Sequence, residues 1–201
     1  MCGINGTLIR PSKLINKNLH LILNRMNDQI VHRGPDDEGI FIEDGVGMAM
    51  RRLAIIDLES GKQPFLNDEK TIVIVYNGEI YNYRDLRSEL EKEGMRFNTA
   101  SDTEVILRLY EREGTPSFGK LDGMFAFSIY DKRLGKVFIA RDFFGEKPLY
   151  YSAGADAFYW ASELKSILKV LPESPNISKS SLNLYFQLTY IPAPFTIYDN
   201  I

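Results

Sequence analysis

One cysteine, two histidines and one tryptophan occur among 201 residues. A single thiol excludes an internal disulfide, and with only two imidazoles beside it neither a Cys₄ nor a Cys₂His₂ zinc site can be assembled. No long apolar run is present. The first residues also lack a basic cluster leading into such a run, so neither a signal peptide nor a membrane-spanning helix is predicted. Charge of neither sign dominates: 24 Lys and Arg stand against 27 Asp and Glu, a formal net charge of −3, without a long block of one sign. Nothing in that balance indicates a partner made of nucleic acid or an anionic membrane, and a cytoplasmic enzyme fits it best. No internal repeat or low-complexity tract is present. What remains is a chain long enough to bury the core of one large domain, with 12 Phe and 11 Tyr suited to a sheet-rich interior.

The one cysteine stands at position 2, in Met1-Cys2-Gly3-Ile4-Asn5-Gly6. Removal of Met1, which is normal before a residue as small as cysteine, would leave a thiol and a free α-amine on the same residue. An α-amine ordinarily titrates at about 7.7–8.0, close to working pH, where a general base is most effective. The thiol could lose its proton to that amine directly or through one water, so no histidine is required. Chance placement of a core cysteine is the competing reading. If Met1 is retained, an amide replaces the amine and the chain is expected to be inactive.

Periodicity predicts the elements. Gly3 to Ile9 reads as a buried strand stopped by Pro11, and Leu19, Ile22, Leu23, Met26 and Ile30 share one helical face ending near His32. Gly39 to Glu43 and Val46 to Arg51 form a hairpin around Asp44-Gly45. Thr71 to Tyr76 is β-branched and unbroken, as in a strand covered on both sides. Asn82 can cap a helix that leaves at Gly94, and Ser101-Asp-Thr-Glu104 has capping-box spacing before a second helix. Met124 to Tyr130 pairs with Lys136 to Arg141; Leu149 to Tyr151 and Ala157 to Ala161 add strands. Ser162 can cap a short helix through Lys169, and a last helix runs from Lys179 to Leu188 before the linker-like Ile191-Pro192-Ala193-Pro194. Hairpins outnumber crossovers, which predicts an α+β domain of antiparallel sheets with helices packed outside.

Five segments accompany the terminus: His32-Arg33-Gly34-Pro35-Asp36, Arg52-Leu-Ala-Ile-Ile-Asp57, Asn77-Gly78-Glu79-Ile80-Tyr81-Asn82, Ser101-Asp102-Thr103-Glu104 and Arg141-Asp142-Phe143-Phe144-Gly145. In this order they resemble the glutaminase domain of class II glutamine amidotransferases, most closely the asparagine synthetase branch, over essentially the whole chain. The resemblance implies the N-terminal nucleophile hydrolase fold, a four-layer αββα sandwich of two antiparallel sheets. It also implies tasks. Cys2 would attack the side-chain amide of glutamine and form a γ-glutamyl thioester, releasing ammonia. Asn77, through its side chain, and Gly78, through its backbone N–H, would receive the oxyanion. Arg52 would hold the substrate α-carboxylate, and Asp102, helped by Glu79, the α-ammonium. Read from the residues alone, Asn77-Gly78 could be a turn after a strand, Arg52 a strand-edge charge beside Arg51, and Asp102 a first-turn residue favoured by the helix dipole. His32 is expected to organise its loop rather than act as a base, and His20 to face solvent. Arg141-Asp142 and Lys147-Pro148-Leu149-Tyr150-Tyr151 match the branch as framework, with Glu146 departing from the usual aliphatic residue.

The resemblance further implies a glutaminase domain over residues 1–190 and the start of a linker at 191–201. A C-terminal synthetase domain would follow, and no Ser-Gly-Gly-x-Asp pyrophosphatase loop occurs in these residues. No cofactor is expected for the glutaminase part, ATP and Mg belonging to that further domain. Glutamine and the synthetase domain are the expected partners, with neither nucleic acid nor membrane, and a homodimer is compatible with the pattern. Two alternatives stay open: an amidotransferase domain serving another carboxylate or a sugar, and a non-catalytic glutamine-binding module.

Overall fold

The computed structural model describes residues 1–10, 18–53 and 61–201; Pro11 and the Ala54 to Asp57 part of the second motif lie outside them. Nine strands occur among the described residues: β1 (Gly3–Ile9), β2 (Asp37–Glu43), β3 (Val46–Arg52), β4 (Phe65–Leu66), β5 (Ile72–Ile80), β6 (Gly123–Asp131), β7 (Lys136–Arg141), β8 (Tyr150–Ala153) and β9 (Ala157–Ala161). The helices are α1 (Leu19–Asp28), α2 (Tyr83–Lys92), α3 (Asp102–Glu113), α4 (Leu164–Leu168) and α5 (Lys179–Leu188). The strands form two sheets, a five-stranded one in the order β2-β3-β1-β9-β8 and a four-stranded one in the order β4-β5-β6-β7. Every pairing is antiparallel. The β2–β3 reversal is made by Asp44 and Gly45 at φ 50° and 82°, the left-handed pair that a two-residue hairpin requires.

Side-chain parity explains the layering. In β5, Val73 and Val75 point toward the other sheet, whereas Ile72, Ile74 and Tyr76 point toward α2 and α3. Both faces of the strand are thus dry, which is why its sequence is an unbroken apolar run. Between the sheets, Ile4, Met48 and Met50 meet Val73, Val75, Ala126 and Tyr130, with Trp160 at the centre. The Trp160 indole donates across the gap to Ser128 Oγ at 3.1 Å. A Cβ on Gly6 would lie 2.0 Å from Trp160 Cζ2, so the indole lies where only glycine leaves room. On the outer face of the first sheet, Ile9, Tyr159 and Ala161 pack on Leu19 and Met26 of α1 and Ile167 of α4. Helix, sheet, sheet, helix is therefore the order of layers, as the resemblance implied.

Two caps differ from expectation. Asn82 stands at the start of α2 but makes no side-chain cap; its amide instead donates to Lys120 O and accepts from Asp122 N, tying α2 to the entry of β6. Ser162 does not cap α4, because its hydroxyl accepts from Ile4 N at 2.9 Å and so fastens β9 to β1. In both cases a tertiary partner satisfies the side chain better than the nearest helix end.

Candidate active site

Cys2 precedes β1, whose first residue, Gly3, registers against Arg51 of β3. That register sets Arg52, the last residue of β3 and 5% exposed, in the same cavity as Cys2. The Cys2 sulfur lies 3.4 Å from Leu53 N and 3.6 Å from Leu53 O. From the other side Arg33 reaches in, its Nε donating to Cys2 O at 2.9 Å and its Nη1 pairing with Glu163 at 3.2 Å. Burial pushes the Glu163 carboxyl up, but hydrogen bonds from His32, Lys165 and Arg33 outweigh it and hold the group below its usual range. Gly34 fits this brace because a Cβ there would be 2.3 Å from the Arg51 carbonyl carbon. The His32 to Asp36 motif is thus a clamp on Cys2 and β3. His32 itself is half-exposed and pairs with Glu163 at 2.8 Å, consistent with an organising task rather than a base. His20 is exposed, as expected.

Asn77 and Gly78 do not form a turn. They continue β5, registered against Ala126 and Phe125 of β6. A Cβ at Gly78 would stand 2.3 Å from Met124 O and 2.7 Å from Phe125 Cα, so glycine is required by the closeness of the two strands. Asn77 is 2% exposed, and its Nδ2 has no hydrogen-bond partner among the described residues. An orphaned buried amide donor costs roughly 1–3 kcal/mol, a cost that a ligand acceptor would relieve.

Asp102 opens α3, whose N-cap Ser101 accepts from Glu104 N. Only half of the predicted capping box forms. The Glu104 carboxylate instead receives the backbone N–H groups of Asn98 and Thr99 and the Thr99 hydroxyl, fixing the approach to the helix. Asp102 Oδ2 accepts from Tyr76 Oη at 2.7 Å and from Ile80 N at 3.2 Å. Burial pushes its carboxyl above the usual range, offset in part by those hydrogen bonds. The Tyr76 phenol is pushed well above its ordinary value, first by burial and then by the Asp102 charge, so it remains a donor. Gln63 completes this wall by accepting from Tyr76 N at 2.7 Å and donating to Thr103 Oγ1 at 3.3 Å.

These groups surround one cavity of about 150 Å³, lined by Cys2, Arg52, Asn77, Gly78, Glu79 and Asp102 together with Met1, Gln63, Tyr76 and Lys147. All six residues singled out in the sequence meet there. A thiol, a guanidinium, two carboxylates and an amide donor without a partner among the described residues, around one small cavity, suit a compact zwitterion that carries an electrophilic carbonyl. Tyr76 and Gln63 were not singled out, and Lys147 was read only as framework; a polar residue within or beside an apolar strand, as Tyr76 is in β5, is the signal that could have found one of them.

Comparison with known proteins agrees. The family described as a glutamine amidotransferase domain matches residues 1–201. Asparagine synthetase [glutamine-hydrolyzing] 1 of Bacillus subtilis is 44% identical over 197 residues, covering 98% of this chain and 31% of that protein. Asparagine synthetase [glutamine-hydrolyzing] 2 of the same organism is 45% identical over 167 residues, covering 83% of this chain and 22% of that protein. The chain therefore spans a third or less of the length of these two relatives. Among solved structures, glutamine phosphoribosylpyrophosphate amidotransferase from B. subtilis superposes with a TM-score of 0.69 at 24% identity, over 83% of this chain and 43% of that one, which shows a shared N-terminal nucleophile hydrolase fold. With its fold, its full-length family match and its relatives in agreement, the chain belongs to the glutamine amidotransferase domain family.

Proposed function

We propose that the processed chain, beginning at Cys2, hydrolyses glutamine to glutamate and ammonia. Arg52 receives the α-carboxylate, while Asp102, with Glu79, receives the α-ammonium. The α-amine takes the thiol proton as the sulfur attacks the side-chain carbonyl carbon. The resulting oxyanion is received by Asn77 Nδ2 and the Gly78 N–H. Collapse breaks the carbon–nitrogen bond, and the proton held by the α-amine leaves with ammonia. Water then adds to the thioester carbonyl, giving one proton to the same amine. The carbon–sulfur bond breaks, the sulfur recovers the proton and glutamate departs.

The observation that carries this reading is the buried Asn77 Nδ2, without a hydrogen-bond partner among the described residues, in the same cavity as the one cysteine. A binding module would have no use for that thiol. We assign the glutaminase domain to residues 1–190 and the start of a linker to 191–201, leading to a synthetase domain that amidates aspartate with the ammonia. A homodimer and a cytoplasmic location are compatible with this assignment. ATP and Mg would serve the synthetase domain. Among the described residues no group of three His, Cys, Asp or Glu is placed to hold a metal ion, and no step here passes through one.

The test is glutamate release from glutamine by protein shown by mass spectrometry to begin at Cys2. Turnover by the parent and none by Cys2→Ala, which should still bind glutamine, is the expected result. Equal turnover by both would overturn the nucleophile assignment, and no turnover by the processed parent would overturn the glutaminase reading.

A further inference from the structure

Lys147 is 5% exposed and lines the cavity that holds Cys2, yet nothing in the proposed chemistry uses it. Its position is built with care. Asp142 accepts from Phe125 N at 3.2 Å, Glu146 N at 2.8 Å and Lys147 N at 3.0 Å. Burial pushes that carboxyl up, but these backbone hydrogen bonds prevail and hold it below the usual range. Arg141 donates to Lys147 O at 2.8 Å and also to Gly145 O. The Arg141-Asp142 motif therefore closes the loop from 142 to 147 against β6, directly beside Met124, which lines the same cavity.

That loop commits its Asp142 carboxylate to the backbone, and its other carboxylate, Glu146, is exposed. Among the described residues no carboxylate pairs with Nζ; its one side-chain partner is the Met1 sulfur, at 3.1 Å. A thioether is a weak acceptor, and it departs when Met1 is removed. A buried ammonium is costly unless an anion meets it. Met1 is bonded directly to the Cys2 nitrogen, so its removal opens space beside Cys2 in the cavity that Lys147 also lines; the anion that the proposed chemistry generates in that cavity is the Cys2 thiolate. After processing, the Cys2 α-amine is itself a cation of the same residue while it carries the thiol proton, and the other charged or titratable groups facing the space do not replace Lys147. Arg33 is shared with Glu163 and bound to the Cys2 carbonyl, Asp102 is bound to Tyr76 and Ile80 N, and Glu79 is exposed. Arg52 is the cation set for the substrate carboxylate.

We propose that the Lys147 ammonium, held by the Arg141-Asp142 loop, is a second cation that stabilises the Cys2 thiolate alongside the protonated Cys2 α-amine once Met1 has been removed. The proposal rests on the assignment of Cys2 as nucleophile and adds the residue that poises it. An opposite charge close to a thiol favours its ionised, reactive form.

The test compares the processed parent with Lys147→Met, Lys147→Gln and Lys147→Arg, all confirmed to begin at Cys2. Two readouts are taken: the rate of Cys2 alkylation by iodoacetamide across pH 6–9, as a probe range, and kcat and KM for glutamine. Loss of a nearby cation should slow alkylation of Lys147→Met and Lys147→Gln at pH 7 by about 3- to 10-fold and move the rate profile to higher pH. In the same variants kcat should fall with KM changed by no more than about twofold, and Lys147→Arg should recover most of both losses. Alkylation profiles that superimpose on the parent overturn the proposal. So does a raised KM with unchanged alkylation, which would place the ammonium with Glu79 at the substrate clamp, or an Arg variant no better than Met. A parent that fails to hydrolyse glutamine while its alkylation depends on Lys147 overturns the glutaminase reading and supports this one; turnover indifferent to Lys147 does the reverse.

Discussion

Tyr76 Oη lies 2.7 Å from Asp102 Oδ2, joining the middle of a buried strand to the first residue of a helix. The phenol faces the helical layer of the core, and its hydroxyl is what remains to orient the carboxylate that we assign to the substrate ammonium. Tyr76→Phe leaves the ring and removes the bond. Its stability should fall by about 0.5–1.5 kcal/mol. KM for glutamine should rise several-fold while kcat changes little. A kcat loss at unchanged KM, measured by steady-state glutamate release, would place Tyr76 in the chemical step instead.

Asp102 gives a prediction with opposite signs for stability and binding. Its carboxyl is held above the usual range by burial, so relative to the unfolded chain its stabilising contribution is complete below the ordinary carboxyl value and is lost as pH rises through the folded one. At neutral pH the charge therefore opposes folding of the free protein. Asp102→Asn keeps an acceptor for Tyr76 and Ile80 N and should melt no lower than the parent. Losing a charged partner for the ammonium should raise KM by about 10- to 100-fold. In the parent, KM should begin to climb on acidification at a higher pH than an ordinary aspartate would give. Thermal melts and KM measured from pH 4 to 8, as a probe range, check both.

Asn77→Ala separates catalysis from folding. If its amide receives the oxyanion, kcat should drop by about 10²- to 10³-fold. The melting temperature should scarcely fall, since the deleted donor has no partner among the described residues. A large stability loss with modest loss of kcat would mark it as framework.

Gly78→Ala should act through the backbone. The added methyl meets Met124 O and Phe125 Cα, atoms of a central strand that have little freedom to yield. Overpacking of this kind costs about 1–3 kcal/mol, which in a domain of this size lowers Tm by about 2–12 °C. Calorimetry reads it directly, and an unchanged Tm would mean that β5 and β6 separate easily at this point.

Much of this architecture can be read from residue pattern. The β5 run, the Asp44-Gly45 reversal and the α1 face each follow from local periodicity or turn chemistry, because the forces that shape them act within a few residues. The six site residues were legible only through motifs, and their competing readings were reasonable locally. Asn77-Gly78 is a turn dipeptide by composition and a strand in fact, since pairing with β6 decides its backbone. Tyr76 and Gln63, and any place in the cavity for Lys147 beyond framework, escaped for another reason. Their roles depend on partners such as Asp102 and Met1, separated by 26 and 146 positions, and no short window of sequence holds both ends of such a contact. Ser162 and Asn82 show the same limit, each abandoning an adjacent helix end for a distant backbone group.

The strand that begins directly after Cys2 is the middle member of its five-stranded sheet, paired with β3 on one side and β9 on the other. It cannot peel away without breaking two ladders and exposing the Trp160 contact. Amide protons along Ile4 to Leu8 should accordingly exchange with deuterium only at the rate of whole-molecule opening. The Cys2 sulfur is thereby moored to the slowest-opening part of the molecule, whereas Glu79, which lines the same cavity, is exposed to solvent.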